Sequence, residues 1–360
     1  MSQSFIPPPS SLIPSHLRRI HSIEIREEAQ IGMARRAVHE FARRFDFDEV
    51  GLGEIDIVVQ EIGTNAVRYA SEGGWLHYAE APGEAGGLEL FYWDGGPGIY
   101  NIDRAARDGV STSGSLGAGL GAIRRLTDEF DVYSTVRVTG KLRVAAPRYT
   151  SHGTALLARK WAGEPGASFE AKRIGAWSQP HPGEEVCGDS YLVRRRGALT
   201  LLAVVDGLGH GAGAKEAADA ALDSLDEWEG EPLDELLTAA HHALRATRGA
   251  VAAVAVVDDA RGQISYAGVG NISARAFNAP EPVTLIPVNG LLGGRLGKPR
   301  VWTHRWAAGA TLVMTTDGLS ESWDISSYPG LLERSPQLLA GVLMRDYNRR
   351  TDDATVLVAK

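Results

Sequence analysis

Four acidic positions border short apolar runs in the second half of this 360-residue chain, an arrangement suited to metal-assisted chemistry. Leu199 to Val205 is an apolar run that stops at Asp206, and Thr311 to Thr316 stops at Asp317-Gly318. Asp352-Asp353 directly precede Ala354 to Ala359, and Gly188-Asp189 open the short run Tyr191-Leu192-Val193. Such runs read as strands, so the carboxylates fall at strand ends and can converge at one end of a sheet sandwich. Clustered carboxylates raise one another's pKa unless cations neutralise them. An oxygen-only donor set, with a single Cys in the chain and no clustered His, favours Mg²⁺ or Mn²⁺ over zinc. Two such ions bind a phosphate monoester and supply a nucleophilic hydroxide. Asp is also common after strands as a turn or cap residue, which is the commoner reason for any one of the four but accounts less readily for the set.

Three segments of the first half point to a nucleotide. In Ile55 to Ala70, the residues Ile55, Val58, Val59, Ile62, Ala66 and Tyr69 recur at helical spacing and make an apolar stripe. Glu61 and Asn65 fall together on the edge of that stripe, one turn apart. A carboxylate and an amide so placed can hold a magnesium ion and activate a hydroxyl or water, although Glu and Asn on a helix face are more often merely solvated. Asp94-Gly95-Gly96-Pro97-Gly98 follows the strand-like Leu88 to Trp93, so an acid at a strand end opens onto a tight turn. That carboxylate can accept from an exocyclic amine such as that of adenine, or the segment is a plain turn. Finally, Ser111 to Gly121 is glycine-rich and enters the helical Ala122 to Leu126, exposing backbone N–H groups to phosphate. No Gly-Lys-Ser/Thr follows, so it is not a Walker A loop, and the G-x-G-x-x-G spacing of a dinucleotide fold is incomplete.

The chain that must position these residues reads as two α/β domains, as its length suggests. Pro7-Pro8-Pro9 and Pro14 among Ser residues mark residues 1–20 as a loose leader. Gly163 to Ser168 is the other break in composition. The division is then 21–161 for the first domain, 162–172 for a linker and 173–360 for the second.

Hydrophobic residues make up 44% and charged residues 23%, as in an ordinary globular protein, and the net charge of −8 gives no broad basic surface, so nucleic acid is not expected as a partner. Cys187 stands alone, which excludes an intrachain disulfide. It reads as a small buried apolar residue, because Val186 to Ser190 offers no phosphate loop ending in Arg. There is no signal-peptide core and no apolar run of about 18 residues, the usual minimum for a membrane span, so the expected location is the cytoplasm. His241-His242 reads as solvated surface, and His210, within the acidic turn, as support for the site.

In order and spacing, the three first-half segments resemble the N, G1 and G2 boxes of the GHKL ATPase superfamily with its Bergerat α/β sandwich, and within it the anti-sigma-factor and stressosome switch serine kinases. Asp108 to Ser113, Leu126 to Phe130, Gly153-Thr154 and Lys160-Trp161 extend that likeness over residues 20–161. The resemblance implies Glu61 as general base and Asn65 as Mg²⁺ ligand. Asp94 would bind the adenine of ATP, Gly96, Gly98 and Thr154 would shape that pocket, and Gly117, Gly119 and Gly121 would wrap the phosphates beneath a lid near 108–116. No phospho-accepting histidine helix is present, so the acceptor is expected to be a Ser or Thr on another protein.

Asp206-Gly207-Leu208-Gly209-His210-Gly211, with Gly188-Asp189, Thr316-Asp317-Gly318 and Asp352-Asp353-Ala354-Thr355, resembles the PP2C superfamily in its sporulation stage II protein E branch. This implies an α-β-β-α sandwich over about 170–360 and a Mn²⁺- or Mg²⁺-dependent phosphoserine/phosphothreonine phosphatase. Asp189, Asp206, the Gly207 carbonyl, Asp317 and Asp352 would hold two ions, with Asp353 beside them, and Asp206 and Asp317 would carry the chemistry. Together the resemblances imply a bifunctional regulator of anti-sigma antagonists of the STAS type or of stressosome phosphoproteins. The alternative is a phosphatase gated by a first half that binds ATP, a sigma factor or a downstream phosphatase without transferring phosphate.

Overall fold

A computed structural model of the chain describes residues 19–70, 72–82, 86–106, 119–136, 152–163 and 172–360. The expected leader up to residue 18, the lid near 108–116, Gly117 and most of the expected linker lie outside the described residues.

The described strands form three sheets. The first contains β1 (His21–Ile25), β2 (Gly74–Glu80), β3 (Gly87–Asp94), β4 (Glu129–Thr135) and β5 (Gly153–Trp161), in the order β1-β2-β3-β5-β4 with every pair antiparallel. Strand side chains alternate between faces, and here both faces are covered. Leu88, Leu90 and Tyr92 of β3 turn to α1 (Glu28–Ala42), α2 (Glu49–Tyr69) and α4 (Gly119–Leu126), where they meet Val38, Ile55, Val59, Ile62 and Ile123. Phe91 and Trp93 turn the other way. β3 is therefore buried from Gly87 to Trp93, and it reads as an apolar run broken only by Glu89, which pairs with the buried Arg159 at 2.7 Å. A short helix, α3 (Ile102–Ala105), lies between β3 and α4.

The second sheet has the order β12-β10-β9-β8-β7, from β7 (Asp189–Arg196), β8 (Leu199–Gly207), β9 (Ala250–Asp258), β10 (Gln263–Val269) and β12 (Trp302–Arg305). The third has the order β11-β13-β14-β6, from β6 (Ile174–Gln179), β11 (Ser273–Phe277), β13 (Thr311–Thr315) and β14 (Ala354–Ala359). They face each other across Leu202, Val204, Ala253, Tyr266, Leu312, Met314 and Leu357. α5 (Ala212–Asp226) and α6 (Leu233–Ala243) cover the second sheet with Ala218, Leu222, Leu225 and Leu237, and α7 (Pro336–Tyr347) covers the third. The layers are α-β-β-α, the sandwich expected.

The sequence reading gave no sign of how the two halves meet. Every residue from Pro336 to Met344 in α7 is buried, because the helix lies between two sheets rather than on the surface of one. Leu338, Leu339, Val342 and Leu343 share one core with Val313, Val356 and Val358 of the third sheet and with Phe91, Trp93, Ala155, Leu157 and Tyr133 of the first. A Cβ at Gly341 would collide with the Phe91 ring, so glycine permits the close approach. Trp177 of β6 packs on Trp93 and Phe91 at ring-centroid distances of 5.0 and 5.1 Å. The Asp131 carboxylate accepts from the Ser335 amide at 2.7 Å, just ahead of α7.

Candidate functional site

In the first half the expected residues gather around α2 and the end of β3. The Asp48 side chain caps α2 by accepting from Gly51 N at 2.7 Å, and the apolar stripe Ile55, Val58, Val59, Ile62 and Ala66 is buried. That stripe fixes the rotation of the helix and leaves Glu61 and Asn65 half-buried at its edge. Gly119, at the start of the described part of α4, sits over both: a Cβ there would stand 3.2 Å from Glu61 Oε2 and 3.4 Å from Asn65 Oδ1. Gly119 is thus brought against the acid–amide pair, and Gly121, two residues further along the helix, is buried.

Asp94 is the last residue of β3, and its Oδ1 accepts from Gly96 N at 2.7 Å and Thr154 N at 3.2 Å. Thr154 itself is buried at the start of β5 and bonds to Ser134 Oγ at 3.0 Å, so its first role is to hold the turn. Gly98 has φ +77°, where L side chains are strained, and a Cβ there would strike the Thr135 carbonyl. His152, absent from the sequence reading, bonds through Nδ1 to the Gly96 carbonyl at 2.8 Å. Beside Asp94, burial pushes the Tyr92 phenol far up, with the Asp94 charge adding to it.

In the second half, register does the gathering. β7 and β8 pair so that Asp189 lies directly opposite Asp206. Both carboxyls are raised: Asp206 to about 7, by burial first and then by Asp317, Asp352 and Asp353, and Asp189 well up, by burial and then Asp206. Burial also raises Asp353, against the pull of the His181 amide, which donates to its Oδ1 at 2.8 Å. β14 follows Asp353 and pairs with both β13 and β6, which draws Asp317 and His181 to the same end.

Apart from His210, the residues that hold this cluster are ones to which the sequence alone gave no role. Thr316 Oγ1 donates to Asp189 Oδ2 at 2.6 Å and accepts from Thr355 N at 2.8 Å. Asn271 Nδ2 donates to Asp317 Oδ2 at 2.8 Å. His181 stacks on His210 at 4.5 Å, and His210 Nδ1 pairs with Glu184 Oε1 at 2.8 Å. The support expected of His210 therefore runs through His181 to Asp353. A Cβ at Gly207 would collide with the Ala214 carbonyl, so α5 packs directly on the loop after Asp206.

Two side readings need correction. Cys187 is half-buried rather than buried, with Sγ donating to Gln179 O at 3.4 Å, and burial followed by the Asp189 charge raises its thiol, which suits no nucleophile. His241 is not simply solvated, because its Nδ1 accepts from Gly293 N at 3.2 Å.

The acidic cluster fits a divalent cation chemically. Its donors are all oxygen, they raise one another's pKa, and Asp353 Oδ2 is buried without a hydrogen-bond partner. Among the described residues, no three His, Cys, Asp or Glu side chains are yet drawn to one metal-binding point. Asp189, Asp317 and Asp353 instead each turn an oxygen to a protein donor, which is how neighbouring carboxylates relieve repulsion.

Two known families match separate parts of the chain. Residues 25–144 match the histidine kinase-like ATPase domain, and residues 196–360 match stage II sporulation protein E. The serine/threonine-protein kinase RsbT of Bacillus subtilis (strain 168) is 34% identical over 39% of this chain and 94% of its own length. The chain joins a histidine kinase-like ATPase domain to a stage II sporulation protein E-type phosphatase domain. The phosphoserine phosphatase RsbX of the same organism is 27% identical over 49% of this ATPase–phosphatase chain and 89% of its own length. A solved chain from work on the bacterial stressosome, described as a modular system adapted to control secondary messenger signalling, is 32% identical with a TM-score of 0.50. It covers 52% of the ATPase–phosphatase fusion and 98% of that chain. No helix among the described residues is long and apolar enough to cross a membrane.

Proposed function

We propose that this chain regulates the phosphorylation state of partner-switching proteins with two opposed activities. The phosphatase domain removes phosphate from a phosphoserine or phosphothreonine of a STAS-type anti-sigma antagonist or a stressosome protein. The observation that carries this is the convergence of Asp189, Asp206, Asp317 and Asp353 from separate strands, with Asp206 raised to about 7. Asp189, Asp206, the Gly207 carbonyl, Asp317 and Asp352 would hold two Mn²⁺ or Mg²⁺ ions, with Asp353 beside them. When bound, such ions supply a hydroxide nucleophile and offset the charge of the phosphate. The chain's own part is to fix Asp189 through Thr316 and Asp353 through His181. The test is Mn²⁺-dependent phosphate release from a phosphoserine antagonist by wild type and Asp206→Ala. Release that is lost in the variant supports the reading, and equal release by both overturns it.

The ATPase domain would transfer the γ-phosphate of ATP to a Ser or Thr of such a protein, with Glu61 as base, Asn65 on Mg²⁺ and Asp94 on adenine. The relatedness to RsbT and the seat of Gly119 over Glu61 and Asn65 support this. The unit would run from 21 to 161 after a leader of 1–20, with 162–172 linking it to 173–360, and the protein would work in the cytoplasm. A second reading has its own observation: α7 packs on the sheet that carries Asp94, so nucleotide, a sigma factor or a downstream phosphatase bound there can gate the phosphatase without phosphotransfer. Glu61→Ala and Asp94→Asn separate the two. Function kept in the first and lost in the second favours gating, and loss in both favours transfer.

A further inference from the structure

We propose that Arg248 is a substrate-binding residue of the phosphatase site, its guanidinium taking a phosphoryl oxygen of the incoming phosphoserine or phosphothreonine; this rests on the phosphatase reading above. Arg248 lies in the turn before β9. The next residue, Gly249, accepts from Leu208 N at 3.0 Å, tying that turn to the loop that follows Asp206 and Gly207. The guanidinium lies across that loop. Nη1 is 3.5 Å from where a Cβ of Gly209 would stand, and Cζ and Nε are each 2.6 Å from where a Cβ of Gly213 would stand. A side chain at 213 would push the arginine away, so the two glycines form its bed.

Stability does not explain the placement. Arg248 is exposed and, among the described residues, makes no hydrogen bond or ion pair. It sits over the first turn of α5, where a cation meets the positive end of the helix dipole, an unfavourable place for it. The acid on the opposite flank of the loop, Glu184 beside Gly211, is engaged by His210. No Lys or Arg bonds Asp189, Asp206, Asp317, Asp352 or Asp353 among the described residues; the donors to Asp189, Asp317, Asp352 and Asp353 are neutral hydroxyl, amide and backbone groups. An uncommitted cation lying across the loop that follows Asp206 is therefore free to meet an anion arriving at the acids. A guanidinium offers two parallel N–H groups to phosphate oxygens, which an ammonium cannot do.

The test is titration calorimetry of inorganic phosphate into the Mn²⁺-loaded full chain, for wild type, Arg248→Ala, Arg248→Lys and, as a surface control, Arg245→Ala. Losing a charge-assisted pair should weaken phosphate binding about tenfold to a hundredfold in Arg248→Ala. Arg248→Lys should recover part of that, and Arg245→Ala should match wild type. The KM values for a phosphoserine peptide and for p-nitrophenyl phosphate should rise by the same factor, since both carry the phosphoryl group, while Mn²⁺ affinity holds. Unchanged phosphate affinity in Arg248→Ala overturns the assignment. So does a KM rise confined to the peptide, which would move the arginine to a carboxylate of the partner, or a parallel loss of Mn²⁺, which would make it structural. If wild type binds phosphate but hydrolyses neither ester, the phosphatase reading fails and phosphate affinity alone judges Arg248.

Discussion

The two sites are assembled by different geometry. In the ATPase domain the acid and amide come from one helix, where a 3.6-residue period puts Glu61 and Asn65 side by side before any tertiary contact forms. In the phosphatase domain no two strands share their acids: Asp189 and Asp206 meet by antiparallel register, and Asp317 and Asp353 are added by β13 and β14. A helical pair needs little support from elsewhere. A set of clustered carboxylates, two of them buried, needs donors from the rest of the fold, and receives them from Thr316, Asn271 and the His181 amide. Yet the two domains are not energetically separate, because α7 gives them one core. Arg345 in α7 shows the same join. Burial works against its charge, but Asp346, with Tyr328 and more remotely Asp94 of the ATPase domain, holds its pKa raised.

The largest effect should come from the place where the domains meet. Gly341→Ala gains up to about 1 kcal/mol of helix propensity, but its methyl collides with Phe91, and overpacking of this kind costs about 1–3 kcal/mol or more. Denaturant unfolding followed at two probes, one in each domain, should show both midpoints falling together. If only the phosphatase probe moves, the shared core is not a cooperative unit.

Next in size is the support of Asp189. Thr316→Val deletes the hydroxyl that donates to Asp189 and accepts from Thr355 N. Mn²⁺ affinity should drop about tenfold to a hundredfold, as for other residues that orient a ligand. Nucleotide binding, measured on the same sample, should be unchanged. Equal Mn²⁺ affinity in wild type and variant would mean that register alone positions the acid.

A graded effect, small near neutral pH and growing as pH falls, concerns acid. His77 packs near the domain junction with its ring tilted at 4.2 Å from Trp93 and edge-on at 4.8 Å from Trp177, and burial lowers its pKa to about 3. The unfolded chain takes up a proton near the ordinary histidine value, whereas the folded one does not until about pH 3. This contribution to stability is therefore intact above the unfolded pKa and is lost as pH falls below it, at about 1.4 kcal/mol per pH unit. His77→Gln should flatten the fall in unfolding free energy between pH 6 and 4, roughly the window those pKa values define. An unaltered slope would place the acid sensitivity elsewhere.

The smallest effect should be Gly119→Ala. Its methyl would press on Glu61 Oε2 at 3.2 Å, a distance a flexible carboxylate can relieve. An ATP analogue should bind only a few-fold more weakly, on the order of 1 kcal/mol. A loss as large as that at Thr316 would make the helical site the more demanding of the two.

What the amino-acid order determined by itself was local. The stripe that orients Glu61 and Asn65, the strand-like run ending at Asp94, and the runs flanked by Asp206, Asp317 and Asp352-Asp353 are all set by residues within one or two turns or strand steps, so periodicity carries them. Tertiary structure decided the rest. Thr316 and Asp189 are 127 residues apart, His181 and Asp353 are 172 apart, and no local pattern marks a hydroxyl or an amide for so distant a partner. Arg248 reads as an ordinary surface cation until the fold lays it across Gly209 and Gly213. α7 reads as an apolar helix whatever it packs against, and only the fold gives it a sheet on each side. Local sequence sets which way a side chain points along its own element; what it meets there depends on the path of the whole chain.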